Sequence, residues 1–247
     1  MSGTFFKNFP LLAYQFGNEV TPVLFQNISA YVSLIDEIKD EATAYTTITI
    51  NDGERPDTLS YKLYGDETFY WTFFFLNNDI RESGWPLTEN EVYEYASKFY
   101  PNWTVTTQAP IHNIFLEGQN IEGLSSDATG TVVKRFLDMG QIIVNKNDPN
   151  GVRDFRANEI IRSNNNFADI VETSGAVLQY NSVHHYENTD GEWVDIDPFN
   201  PNTSGLIPVT YLERLRNLND KLREIKVFTP ETVVQVQSEF SKLMLKG

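Results

Sequence analysis

"RPDTLSYKLYGDETFYWTFFFLNN", residues 55–78, sets a glycine between two short segments, and seven of the eight residues from Phe69 to Leu76 are large and apolar. Pro56 and Asp57 mark a helix start, with the Asp57 carboxylate free to accept the unpaired N–H groups of a helix beginning at Thr58. Leu59 and Leu63 fall four apart, on one helical face. Gly65 ends that helix, because glycine takes up the left-handed cap without strain. Asp66 caps a second predicted helix over Glu67–Leu76, which stops at Asn77-Asn78. Almost nothing joins the two helices, so they pack as a hairpin or a corner.

The second of these helices is only ~15 Å long and apolar round most of its circumference. A surface helix needs one apolar stripe; apolarity on all sides means burial on more than one. Each such side chain contributes ~1.5–3 kcal/mol when buried, up to ~10–20 kcal/mol in sum. Two burial schemes fit. In one, the run is sandwiched between a strand near Tyr45–Ile50 and a helix over residues 88–99. In the other, part of it, with Trp85 and Trp103, faces another protein, since aromatic side chains dominate the centres of stable interfaces.

Working outward, "AYTTITINDGE" alternates and is rich in β-branched residues, which predicts a strand ending at Asn51-Asp52-Gly53. Before it, residues 1–40 combine Phe5, Phe6, Phe9, Tyr14 and Phe16 with "SAYVSLIDEIKDEATAY", read as a strand running into a turn. After the ring-rich run, Thr88 and Glu91 form a capping box. It opens a helix to about Phe99, with Val92, Tyr95 and Phe99 on one face, and Pro101 stops it. Helical periodicity then vanishes over residues 104–200. "FLEGQNI" at 115–121 and "FRANEII" at 155–161 share Phe-x-x-Gly/Asn-Gln/Glu-x-Ile, a weak internal repeat. "GTVVKRF" and "QIIVNK" between them read as strands. "HHYENTDGEWVDI" predicts a hairpin turning at Asp190-Gly191. From Pro208 a charged helix carries Leu212, Leu215, Leu218, Leu222 and Ile225 on one side. Thr229 and Pro230 then start a last helix with Val233, Val236, Phe240 and Leu243 on one face. Lys242 and Lys246 sit near its end, where the helix dipole favours cations.

The fold class is therefore α+β. An aromatic, partner-binding segment over 1–40 precedes a small α+β core over 41–103. An inserted all-β module over 104–179 follows, then a hairpin and C-terminal helices over 180–247.

Among 247 residues, 34 acidic and 19 basic side chains give a formal charge of −15. Such a field repels phosphate backbones and anionic membranes, so neither nucleic acid nor membrane is an expected partner. The absence of cysteine excludes disulfides, thiol catalysis and cysteine-ligated zinc. The N-terminus has no basic start followed by an apolar core of secretory type. No apolar run approaches the ~20 residues of a spanning helix. Synthesis in a cytosol is the expectation, and the sequons at Asn27, Asn102 and Asn202 are read as chance matches.

Chemistry needs convergent groups. His184 and His185 are adjacent and should point to opposite faces of a strand, and His112 stands alone. Asp195 and Asp197 share one strand face, where they could ligate a hard cation but are more commonly solvated. "NKNDPNGVRDF" begins like a calcium loop, but Pro149 and Arg156 fall at its fifth and twelfth positions. "GLSSD" at 123–127 lacks the second glycine of a nucleophile elbow. No Gly-rich phosphate loop is present. No catalytic residue, metal site or cofactor is expected.

The strand, "GERPDTLSYKLYGD", the second helix and "LNN" together resemble the LysM motif, a small βααβ module. Asp57, Thr58, Leu59, Tyr64, Gly65, Leu76, Asn77 and Asn78 match its pattern. Two features depart from it: the second helix is far more aromatic, and a third helix follows where a closing strand is expected. A longer set is more specific. "TFF" near the start, "GERPDTLSYKLYGDETFYWTFFFLNN", "GWPLTENEVYEYA" and "LNDKLREIKVFTPETVVQVQSEFSKLM" occur in that order. Together they resemble the baseplate wedge subunits of T-even-like, contractile-tailed phages that carry a LysM-like core. The resemblance covers residues 1–103 and 180–247. The Phe-x-x-Gly repeat is similar to small β units recurring in phage virion proteins.

This resemblance implies a non-enzymatic structural protein of the virion tail, assembled in the host cytoplasm. It implies contacts with other baseplate wedge proteins of the inner ring and with neighbouring wedges, with the sheath-initiating subunit close by. It also implies several copies around the tail axis. Phe5, Phe6, Tyr70, Trp71, Phe74 and Trp85 are the expected partner contacts. The alternative is a LysM-type module that binds peptidoglycan, whose glycan strands are N-acetylglucosamine polymers. A cell-wall hydrolase would need two placed carboxylates, for which no motif is found.

Overall fold

The computed structural model describes residues 11–15, 21–26, 45–148 and 153–246. The chain forms two compact units, one from Met1–Leu87 with Asp220–Gly247 and the other from Thr88–Asn219. In chain order the elements begin with β1 (Leu11–Tyr14), β2 (Val23–Gln26) and β3 (Tyr45–Thr49). Next come α1 (Pro56–Tyr64), a 3-10 turn (Glu67–Tyr70), α2 (Trp71–Leu76), α3 (Asn78–Ser83) and α4 (Glu89–Phe99). Six strands follow: β4 (Trp103–Thr107), β5 (Asn120–Gly123), β6 (Thr129–Phe136), β7 (Gln141–Lys146), β8 (Ile160–Ser163) and β9 (Ile170–Leu178). The chain ends with β10 (Val183–Glu187), β11 (Trp193–Val194), β12 (Ile207–Thr210), α5 (Tyr211–Lys221), β13 (Glu224–Phe228) and α6 (Pro230–Lys246). The molecule is α+β, as its patterning predicts.

In the first unit, β3 pairs antiparallel with β13 from the far end of the chain, Tyr45 opposite Phe228 and Thr49 opposite Glu224. Ile50 N–H extends the ladder by donating to Arg223 O at 2.8 Å. Ile50, Leu59, Phe73, Ile80, Ile225 and Val227 are buried together beneath this sheet. The strand at 224–228 corrects the sequence reading, which ran one helix through Ile225. The helix ends at Lys221, and Ile225 and Val227 are buried while Glu224 and Lys226 are exposed. That alternation is the strand period of two; the leucines at 212, 215, 218 and 222 mask it with a helical spacing running into it.

α1 begins at Pro56, two residues before the predicted start, with extended Arg55 at its cap position. Proline suits the first helical turn because its missing N–H would be unsatisfied there anyway. Asp57 still serves the helix end, accepting Thr58 N–H at 2.9 Å. Gly65 closes α1 at φ 73°, donating to Tyr61 O at 2.8 Å, and Asp66 accepts Thr68 N–H at 2.8 Å to start the next turn. The predicted helix over 67–76 divides into the 3-10 turn and α2, and α3 begins immediately after Asn77 rather than giving way to a loop.

In the second unit, the predicted capping box is formed. Glu91 Oε2 accepts Thr88 N–H at 2.8 Å and Thr88 Oγ1 accepts Glu91 N–H at 3.3 Å. The buried face of α4 keeps Val92 of the predicted set but not Tyr95 or Phe99. Val92 and Ala96 pack with Tyr180 and Leu212, while Tyr95 and Phe99 are exposed and stack on each other at 5.5 Å. Ala96 is fully buried in that cluster.

Strands β4 to β9 close into a barrel in the order β4-β7-β6-β5-β8-β9, every pair antiparallel. The internal repeat explains its interior. Phe115 and Phe155, and Ile121 and Ile161, are all in its core. Gly118 and Asn158 each take positive φ, 85° and 58°, the backbone that glycine and asparagine tolerate best. Gln119 and Glu159 then fold back onto the backbone N–H just after each phenylalanine, at Leu116 and Arg156. β5 and β8, one from each repeat, pair with one another. Outside the barrel, β10 is the middle strand of a sheet ordered β11-β10-β12.

Candidate interaction surfaces

The ring-rich run is housed by its own unit. Trp71 is only 6% exposed, and Phe73 and Phe75 are fully buried. Tyr70, Phe74 and Trp85 are half-buried and pack against the core under β3 and β13. Trp85 lies 6.0 Å from the Phe73 ring and 5.8 Å from the Phe74 ring, and its Nε1–H donates to Glu54 O at 2.7 Å. The helix at Glu89–Phe99, expected as one slice of this sandwich, belongs to the other unit; β13 takes its place. Trp103 opens β4 in that other unit as well. Phe5 and Phe6, and the strand expected near residue 31, lie outside the described residues.

Two side chains stopper the outer edge of β13. The Ile50–Arg223 bond fixes which residues face inward, so by the alternation of an antiparallel ladder Lys226 and Phe228 turn their N–H and C=O away from β3. The Asn77 amide meets Lys226 on both counts, Nδ2–H donating to its carbonyl and Oδ1 accepting its N–H, each at 2.8 Å. A second Nδ2–H bond to Phe73 O, also 2.8 Å, fixes the amide from behind. Tyr64 Oη–H donates to Phe228 O at 3.0 Å, and burial pushes its pKa up to about 12. Tyr64 and Asn77, picked out in sequence as motif positions, thus tie the two helices to the strand.

Apolar surface is found elsewhere. β1 and β2 form an antiparallel hairpin whose Leu11, Tyr14, Val23 and Leu24 are between 42% and 63% exposed. In the second unit Trp193, Ile207 and Phe199 are 57%, 51% and 80% exposed. Phe199 stacks on His112 at 4.7 Å.

His184 and His185 do not diverge as adjacent strand residues should. A register shift on β10 between Val183 and His185 breaks the alternation. Their Nδ1 atoms lie 3.0 Å apart, and both rings meet Trp193, at 5.3 and 4.2 Å. His185 Nε2 reaches Glu187 Oε1 at 3.0 Å. Burial, the positive charge of Arg214 and then the neighbouring His185 and Lys134 hold the His184 pKa down to about 4. Asp197 binds its own loop, accepting Phe199 N–H at 2.9 Å. Among the described residues no group of three or more His, Cys, Asp or Glu is placed to hold a metal, and no helix is long and apolar enough to cross a membrane.

The chain leaves exposed apolar side chains on both units. No curated protein matches it. The model of one protein family, described as base plate wedge protein 53, matches residues 4–127, half of the chain, and takes in the β1/β2 hairpin, the ring cluster and the first two barrel strands, β4 and β5.

Proposed function

The chain belongs to the base plate wedge protein 53 family, structural proteins of the phage tail, and on that premise we propose that it acts as a connector in the baseplate. It joins inner-ring wedge subunits to one another and neighbouring wedges around the hub, close to the sheath-initiating subunit. It does so without catalysis, in several copies around the tail axis, after assembly in the host cytoplasm.

The observation that carries this reading is the exposed apolar hairpin within the residues that the family model matches. An isolated two-stranded hairpin is at best marginally stable in water. One that leaves Leu11, Tyr14, Val23 and Leu24 open gains stability when a partner covers them. Phe5 and Phe6 precede it in the same N-terminal segment, and Tyr70, Phe74 and Trp85 keep part of their ring surface open in the first unit. We assign partner contact to these five; Trp71 is buried, its ring 5.8 Å from that of Phe75.

The order β3, α1, α2, β13 supports a LysM-like core whose closing strand arrives after a long excursion of the chain. Leu59 in the core, and Tyr64 and Asn77 bonded to β13, are consistent with the matched motif positions being those that hold such a core together. In this reading the module is reused for protein binding.

The test replaces both leucines, Leu11→Asp with Leu24→Asp, in the full chain. Joining to purified wedge subunits should fall at least about tenfold, the effect of ~1.4 kcal/mol or more, with an unchanged circular dichroism spectrum. Normal joining overturns the reading. Retention on purified cell wall, with no wedge protein bound, replaces it with peptidoglycan binding.

A further inference from the structure

The family model ends at residue 127, yet the second unit carries an exposed constellation well beyond it. The register of the β11-β10-β12 sheet sets Glu187 between Trp193 on one side and Ile207 on the other. Directly opposed cross-strand residues project from the same face. The row is thus apolar, acidic, apolar, and both flanks are largely open to solvent. Its centre is fixed. His185, buried, holds the Glu187 carboxylate at 3.0 Å and lies stacked under the Trp193 indole at 4.2 Å, with the planes 26° apart.

Along the chain beside the row the charge is of one sign, with Arg214 and Lys134 near His184 on other elements. From Glu187 to Phe199 the chain carries Glu187, Asp190, Glu192, Asp195 and Asp197, and neither lysine nor arginine. A carboxylate held between an open indole and an aliphatic side chain suits a long cationic side chain. Its methylenes lie along the apolar flanks, and its charge meets both the carboxylate and the face of the indole. A second copy of this chain, at −15, would bring like charge to the patch.

We propose that the Trp193–Glu187–Ile207 row is a docking surface for a basic segment of a different baseplate chain, with one arginine or lysine seated over Trp193 against Glu187. This goes beyond the connector reading, which rests on the N-terminal hairpin of the other unit, and adds a second point of attachment.

The experiment puts a photo-cross-linker on the row, Ile207→p-benzoylphenylalanine, in the full chain during assembly with the other wedge proteins. Mass spectrometry then identifies the linked peptide. The expected product joins one partner chain at a segment with two or more lysines or arginines nearby. Its yield should drop about threefold with Glu187→Gln and about tenfold with Trp193→Ala, and fall as salt rises. Because Trp193 is exposed and Glu187→Gln keeps the shape of the half-buried side chain, circular dichroism should match the parent. Cross-links confined to acidic or uncharged segments, to a second copy or to the chain itself overturn the proposal, as does a yield unmoved by both variants. A wedge that forms normally with no intermolecular cross-link at position 207 sinks this inference alone and leaves the hairpin reading standing.

Discussion

The ring-rich run at 67–76 and the hairpin of β1 and β2 belong to the same unit and divide its apolar residues in opposite ways. The run holds six aromatic rings, and its own unit buries three of them and half-buries the rest. The strands of the hairpin are as densely apolar, seven residues of eight, but their side chains are mostly smaller, and those described are exposed. The size of the rings, not the density of apolar residues, therefore separates what the unit buries from what it leaves open. A sheet of two strands offers little cover, and large rings supply the area that a third and fourth strand would otherwise provide. The open apolar surface lies on a separate two-stranded element with smaller side chains.

The sharpest way to break this contrast is Phe73→Ala. Phe73 is fully buried among Tyr64, Trp85 and the strand residues, so the loss should be about 3–5 kcal/mol in a urea titration followed by tryptophan fluorescence. A loss under about 1 kcal/mol would mean that the run is not the core of its unit. A smaller effect tests the edge of β13. Asn77→Ala removes both bonds to Lys226 and should cost about 1–3 kcal/mol. Faster hydrogen exchange of the Lys226 amide is expected before any global change.

The smallest effect is a pH dependence in the other unit. The folded state depresses the His184 pKa from 6.5 to about 4, so between those values the unfolded chain binds the extra proton. The contribution is fully present above pH 6.5 and is lost as pH falls toward about 4. His184→Gln should flatten that part of the stability curve, and an unchanged slope would remove His184 as its cause.

Much of the framework was legible from residues with a single local job. Gly65, Asp66 and the Thr88/Glu91 box act within one turn, so their roles can be read without tertiary knowledge. The Phe-x-x-Gly/Asn-Gln/Glu-x-Ile repeat was visible too, though not its closure into a barrel, because β5–β8 pairing joins residues about forty apart. What stayed hidden depends on distance. The helical reading runs over the first residues of β13, as far as Ile225, because the strand's partner is β3, at the other end of the chain. The Trp193 row was missed because a register shift and two separate pairings assemble it. The turn at Asp190-Gly191 was the only local signal near it.

The pairing of Tyr45 with Phe228 also sets an order of events during synthesis. Residues 88–219 are complete, and free to fold, before β13 has been translated. The first unit, although its chain starts earlier, lacks one strand of its β3/β13 sheet until residue 228 clears the ribosome. Its rings must wait in the nascent chain for almost the whole length of the message, which makes translation pace and chaperone cover more consequential for the beginning of this protein than for its middle.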